Sequence, residues 1–122
     1  PVGGEHWAYQ GLDEIAVYLK ENAPPDAVIY HHWLRWHYSY YLYGAGFELR
    51  WWESGEHMQR EALRTPDRVQ YVVLPDWRTL EPEAPGLRFE LLYQARRDDQ
   101  TVSLSLYRVH PRLSGPPLLG EL

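Results

Sequence analysis

The first quarter of the chain switches from a helical to an extended hydrophobic pattern. Apolar residues between Leu12 and Leu19 recur at helical spacing, which predicts a helix over Gly11–Asn22. Pro24-Pro25 ends this helix because proline cannot continue it. The apolar stretch Ala27–His31 then predicts a short strand.

The next segment is dominated by aromatic rings. Trp33–Tyr43 fits a helix with apolar residues on two faces, although aromatic residues also favour strands. We predict a helix, with Gly44 and Gly46 forming its C-terminal cap and the turn after it. Phe47–Trp52 predicts a strand. Ser54 is the expected N-cap of a helix over Gly55–Arg64.

The second half of the chain reads mainly as strands. Val69–Leu74 is almost continuously apolar, which is typical of a strand buried on both faces of a parallel sheet. Pro75–Gly86 contains three prolines and predicts a loop. Alternating apolar residues in Leu87–Gln94 and Val102–Tyr107 flank a polar turn, which predicts a β-hairpin.

Together these elements predict an α/β fold. The alternation of helices and strands indicates a three-layer Rossmann-like open sheet, mostly parallel, with a C-terminal antiparallel β-hairpin at one edge. The first half lacks a dinucleotide fingerprint. We expect a single domain over residues 1–110 and a poorly ordered tail over 111–122, which is rich in proline and glycine.

Composition narrows the classes of function. The net charge of -5 argues against a nucleic-acid partner, and the lack of cysteine excludes disulfides and thiol chemistry. No apolar run is long enough for a membrane span, and no signal peptide is visible. The chain begins at Pro1 and its single methionine is Met58, so we expect it to be part of a longer protein.

The aromatic segment 31–52 supplies the candidate binding residues. It holds four of the six tryptophans, four of the ten tyrosines and three of the six histidines. In open α/β sheets, ligands bind beyond the carboxyl ends of the strands. Rings beside Arg, His and carboxylate groups there could hold a sugar or a sugar phosphate, unless the tryptophans simply close the core. The residues concerned are His32, Trp33, Arg35, Trp36, Trp52, Asp76 and Trp77.

Other chemistries have weaker support. His31, His32 and His37 with Asp76 could suggest zinc, but adjacent residues on a strand point to opposite faces, so we expect neither a metal site nor a cofactor. The sequence contains no common catalytic motif, and we assign no catalytic residue. A further alternative is that the aromatic helix faces a membrane or a protein partner.

Several short motifs resemble those of a known family. The segment from Gly11 to Gly44, with Pro24-Pro25-Asp26-Ala27-Val28, Trp33 to Trp36 and Tyr40-Tyr41-Leu42, is similar to the start of the soluble C-terminal domain of polytopic bacterial glycosyltransferases. These enzymes resemble the dolichyl-phosphate-mannose protein mannosyltransferases and the lipid-A aminoarabinose transferases. Val69–Trp77 and Ser103–Val109 resemble later strands of the same domains.

The resemblance implies a role without catalysis in this chain. In the resembling enzymes the acidic catalytic residues lie in loops of the membrane part, so none carries over. It implies an accessory domain on the extracytoplasmic side of the membrane, which caps the active site and contacts a lipid-linked sugar donor or an acceptor. Its partner would be the membrane domain of the parent chain. The alternatives are a stand-alone carbohydrate- or phosphosugar-binding module and a small α/β enzyme.

Overall fold

A computed structural model describes residues 10–32 and 35–112, without the side chains of residues 35 and 36. Within these ranges the chain forms three α-helices and five strands. In chain order they are α1 Leu12–Asn22, β1 Val28–His31, α2 Arg35–Tyr41, β2 Glu48–Trp51, α3 Gly55–Leu63, β3 Gln70–Pro75, β4 Leu87–Arg96 and β5 Val102–Pro111.

The local predictions hold for most elements. Each predicted helix and strand within the described ranges is present, with ends that differ by a few residues. Ser54 caps α3, because its hydroxyl accepts a hydrogen bond from the backbone N–H of His57 at 3.1 Å. The turn after α2 contains Gly44 and Gly46, both with positive φ angles, which glycine adopts without steric cost.

The predicted arrangement of the sheet is wrong. The single five-stranded sheet has the order β2-β1-β3-β5-β4. β1 pairs in parallel with β2 and β3, whereas β5 pairs antiparallel with both β3 and β4. The fold is therefore a small mixed α/β structure, with two parallel and two antiparallel pairings, and not a mostly parallel, three-layer Rossmann-like open sheet.

The reason for this error lies in the last two strands. The hairpin contributes strands of ten residues, and β5 pairs with β3 along all of Gln70–Pro75. Because β3 is buried along its whole length, its apolar sequence is the same whether its second neighbour runs parallel or antiparallel. The pattern in β3 indicates a central strand, but it does not give the direction of the strand beside it.

Each face of the sheet carries its own hydrophobic core. On one face, α1 and α2 cover a cluster that includes Ile15, Ile29 and Tyr38. On the other face, α3 and the loop after β3 cover a cluster that includes Tyr30 and Met58. Adjacent residues of β1 thus belong to different cores, as the alternation of side chains along a strand requires. The centre of the sheet is closed, so a ligand can reach it only from an edge or an end.

Candidate functional site

The carboxyl ends of the three parallel-paired strands lie at one end of the sheet. β1 is followed by His32, β2 by Trp52, and β3 by Asp76 and Trp77. We call this region, together with Trp51 at the end of β2 and Arg78, Glu83 and Arg97, which contact it, the carboxyl edge. It is where ligands bind in open α/β sheets, so each of its side chains is described in turn.

His32 and Trp52 form a direct contact at the carboxyl edge. Their ring centroids are 4.6 Å apart, and Nδ1 of His32 lies 2.7 Å from the backbone oxygen of Trp52. A carbonyl oxygen can only accept a hydrogen bond, so Nδ1 of His32 is the protonated, donating nitrogen. The contact joins the ends of β1 and β2.

Trp52 is enclosed. Its side chain is 1% exposed, with His32 on its ring and the Arg78 guanidinium 5.4 Å from the ring centroid, within the range of a cation–π contact. The indole Nε1 is buried and has no hydrogen-bond partner among the described residues. Trp52 is therefore a buried residue of the carboxyl edge that contacts both His32 and Arg78.

Arg78 links the edge to the start of α3 through Glu83. Two guanidinium nitrogens of Arg78 donate to the two carboxylate oxygens of Glu83, at 2.5 and 3.1 Å, and one of these oxygens also accepts from the backbone N–H of Gly55 at 3.0 Å. The Arg78 guanidinium and the Gly55 N–H lower the pKa of Glu83 to about 2. Bidentate pairing of this kind fixes the position of a guanidinium.

Asp76 faces the hairpin. Its carboxylate accepts from Nη1 of Arg97 at 3.2 Å, and this guanidinium also donates to the Thr101 hydroxyl and, at 2.7 Å, to the backbone oxygen of Val102. Arg97 is 7% exposed, so its charge is held inside the turn between β4 and β5. The interaction attaches the hairpin turn to the end of β3.

Two tryptophan rings of the edge are open to solvent. Trp51 is 52% exposed and Trp77 is 61% exposed. Trp51 has the His57 ring at 5.7 Å, and Nδ1 of His57 accepts a hydrogen bond from the backbone N–H of Glu53 at 3.0 Å. The edge therefore offers accessible ring surface beside imidazole, guanidinium and carboxylate groups.

The structure describes only some of the seven candidate binding residues predicted from the sequence. The structure brings His32 and Trp52 into contact and puts Asp76 and Trp77 at the same end of the sheet. Trp33 lies outside the described residues, as do the side chains of Arg35 and Trp36, so only the backbone position of the last two is known, in the first turn of α2.

The histidines considered for zinc do not form a cluster. His31 is buried with its ring 6.0 Å from Tyr38, whereas His32 lies on Trp52. The two adjacent histidines therefore serve opposite faces of the sheet. Within residues 10–32 and 35–112, no three His, Asp or Glu side chains are grouped so that they could hold a metal ion.

Sequence reasoning missed several residues of the edge. The hydrophobic pattern places Trp51 in a strand and does not mark it as a binding residue, yet its ring is exposed while that of Trp52 is buried. Arg78 directly follows Trp77, so its position in the sequence was a usable signal. Glu83 and Arg97 gave no such signal, because each reaches the edge through a loop or turn whose path the hydrophobic pattern does not determine.

Comparison with known proteins does not extend the assignment. No protein-family model matches the sequence, no curated protein matches it, and no solved structure matches the fold. Among the helices that the structure describes, none is long and apolar enough to cross a bilayer.

Proposed function

We propose that this chain is a non-catalytic accessory domain that binds carbohydrate at its carboxyl edge. The observation that carries the proposal is the exposure of Trp51 and Trp77 at the ends of two strands that flank β1. Indole rings offer large, rigid apolar faces, which suit the C–H faces of a pyranose. Binding sites of this kind combine such rings with a few polar groups that fix orientation.

The charged groups of the edge favour binding over catalysis. Arg78 is paired with Glu83, and Arg97 is paired with Asp76. A carboxylate whose pKa lies far below neutrality, as that of Glu83 does, remains ionised and is a poor proton donor at neutral pH. Charged side chains that are fixed in such ion pairs hold the neighbouring rings and polar atoms in place for a ligand.

We further propose that the domain belongs to a membrane-bound glycosyltransferase and lies on the extracytoplasmic side of the membrane. The support is the resemblance of Pro24–Val28, Tyr40–Leu42 and Val69–Trp77 to the C-terminal domains of such enzymes. In that setting the carboxyl edge would contact the sugar part of a lipid-linked donor, or a glycan acceptor. The reading frame upstream of Pro1 tests the attachment, which fails if no group of hydrophobic spans precedes it.

A glycan panel tests the binding function. The full chain should be retained by a subset of immobilised oligosaccharides or glycosyl phosphates, and Trp77→Ala should be retained less. Val17→Ala is the matched control, because Val17 is an exposed apolar residue on α1. Failure to bind any member of a broad panel would contradict the proposal.

The second candidate is a stand-alone carbohydrate- or phosphosugar-binding module. The same exposed rings support it, so glycan binding alone does not separate the two candidates. The upstream reading frame does: hydrophobic spans favour the accessory domain, and their absence, combined with glycan binding, favours the stand-alone module.

A further inference from the structure

A second group of exposed rings lies on and after α2. Tyr40 is 77% exposed and Tyr43 is 87% exposed, while Tyr38 and Leu42 on the opposite side enter the core. Single exposed apolar residues are common on proteins. Here two tyrosines only three positions apart in the chain are both strongly exposed, which concentrates aromatic surface at the end of α2.

The charge of this part of the chain differs from that of the whole protein. No Asp or Glu occurs between Asp26 and Glu48, a stretch of 21 residues. The complete chain has 17 acidic residues among 122 and a net charge of -5, or about one acidic residue in seven. The same stretch contains Arg35 and three histidines. The exposed tyrosines therefore lie in a stretch of an acidic protein that itself carries no acidic residue.

A cleft lies beside Tyr43, one of the two exposed tyrosines. It has a volume of about 360 Å³ and lies between the end of α1 and the turn after α2, where it is lined by Lys20, Tyr43 and Phe47 with small apolar residues between them. Its lining includes one ammonium group and no carboxylate; Glu21 and Asp26 are neighbours in sequence but do not line it. The cleft thus combines a cation with aromatic walls.

We propose that Tyr40, Tyr43 and the Lys20 cleft form a surface that docks onto an anionic lipid bilayer. Tyrosine rings favour the interface between lipid and water, and a basic group near an anionic leaflet adds to the attraction. With seven residues, α2 is too short to span a bilayer, so it would lie at the headgroup level. This surface contains none of the carboxyl-edge residues, and the inference does not rest on carbohydrate binding.

Vesicle sedimentation of the full chain tests this docking surface. Vesicles of equal parts phosphatidylglycerol and phosphatidylcholine should retain the protein at low salt, and vesicles of phosphatidylcholine alone should retain much less. The double variant Tyr40→Ser/Tyr43→Ser should lose the retention, and Lys20→Gln should weaken it about fivefold, as expected for one basic residue near the surface. Leu91→Ser, at an exposed leucine of β4, is the control and should bind like the unmodified chain.

The vesicle experiment and the glycan experiment substitute different residues, so a failure of one proposal can be told apart from a failure of the other. All the substituted residues here are exposed or line an open cleft, so the variants should fold, which circular dichroism checks. Equal retention by both vesicle types, or undiminished retention of the double tyrosine variant, would overturn the proposal. No retention by either vesicle would overturn it in favour of a protein partner for the same surface.

Discussion

Tyr30 on β1 donates a hydrogen bond from its hydroxyl to Oε1 of Gln70 on the neighbouring strand β3, with 2.6 Å between the two oxygens. Both residues are fully buried. Nε2 of Gln70 in turn donates to the backbone oxygens of Ala62 and Thr65 at the end of α3. This chain of hydrogen bonds connects two central strands to the helix whose start supports the carboxyl edge.

We predict that Tyr30→Phe destabilises the protein by about 1–3 kcal/mol, because the buried Gln70 oxygen loses its donor. Burial raises the pKa of Tyr30 to about 12, so the hydroxyl remains a donor throughout the neutral range. Urea unfolding measures the effect. The matched control is Tyr40→Phe, at an exposed ring, which should change the free energy of unfolding by less than about 0.5 kcal/mol. Equal effects of the two variants would show that the buried hydrogen bond is unimportant.

The pairing of Glu83 predicts a loss of stability in acid. Its pKa falls from 4.5 to about 2 in the folded protein, mainly through the Arg78 hydrogen bond, so the unfolded chain binds more protons between these values. The contribution of Glu83 is present above pH 4.5 and is lost as the pH falls towards 2. Unfolding of Glu83→Gln across this range should show a weaker pH dependence than unfolding of the unmodified chain.

Glu81→Gln is the control for that experiment. Glu81 is an exposed carboxylate of the same loop, and no ion pair is found for it among the described residues. Its substitution should leave the pH dependence of stability close to that of the unmodified chain. A Glu83→Gln profile that matched the Glu81→Gln profile would contradict the proposed role of the Arg78–Glu83 pair.

Arg97 should stabilise the hairpin turn that borders the carboxyl edge. Arg97→Ala removes the donor to the Val102 backbone oxygen, and we expect this to lower the free energy of unfolding by about 1–3 kcal/mol. Loss of the ion pair with the half-exposed Asp76 carboxylate should add little to this effect. Hydrogen exchange should also become faster at the N–H of Gln100, which donates to the backbone oxygen of Arg97. Arg88→Ala, at an exposed position of β4, is the control, and equal stability of the two variants would show that the Arg97 side chain does not hold the turn.

Local sequence signals determined most of the elements but not their assembly. The Leu12–Leu19 spacing and the Ser54 cap were sufficient for α1 and α3, because helix formation depends on neighbours in sequence. The insertion of β5 between β3 and β4 depends on contacts between distant strands. Alternation along a strand shows that it has two faces, but it does not identify the neighbouring strand.

For the candidate site, too, the sequence predicts the position of segments along the chain but not the exposure of single side chains. The sequence places the candidate residues at the ends of β1, β2 and β3, and these three ends do lie on one side of the sheet. It could not tell which of the adjacent rings Trp51 and Trp52 would be exposed, because a shift of one residue reverses the face of a side chain. The structure exposes Trp51 and buries Trp52.

Titration of intrinsic tryptophan fluorescence tests the central claim, carbohydrate binding by the exposed rings of the carboxyl edge, most directly. A glycan that binds should quench the emission of the full chain saturably. Trp51→Ala and Trp77→Ala should each weaken binding by roughly tenfold, while Val17→Ala should leave the affinity unchanged. Unaltered affinity in both tryptophan variants, or no saturable quenching by any oligosaccharide or glycosyl phosphate of a broad panel, would contradict the account.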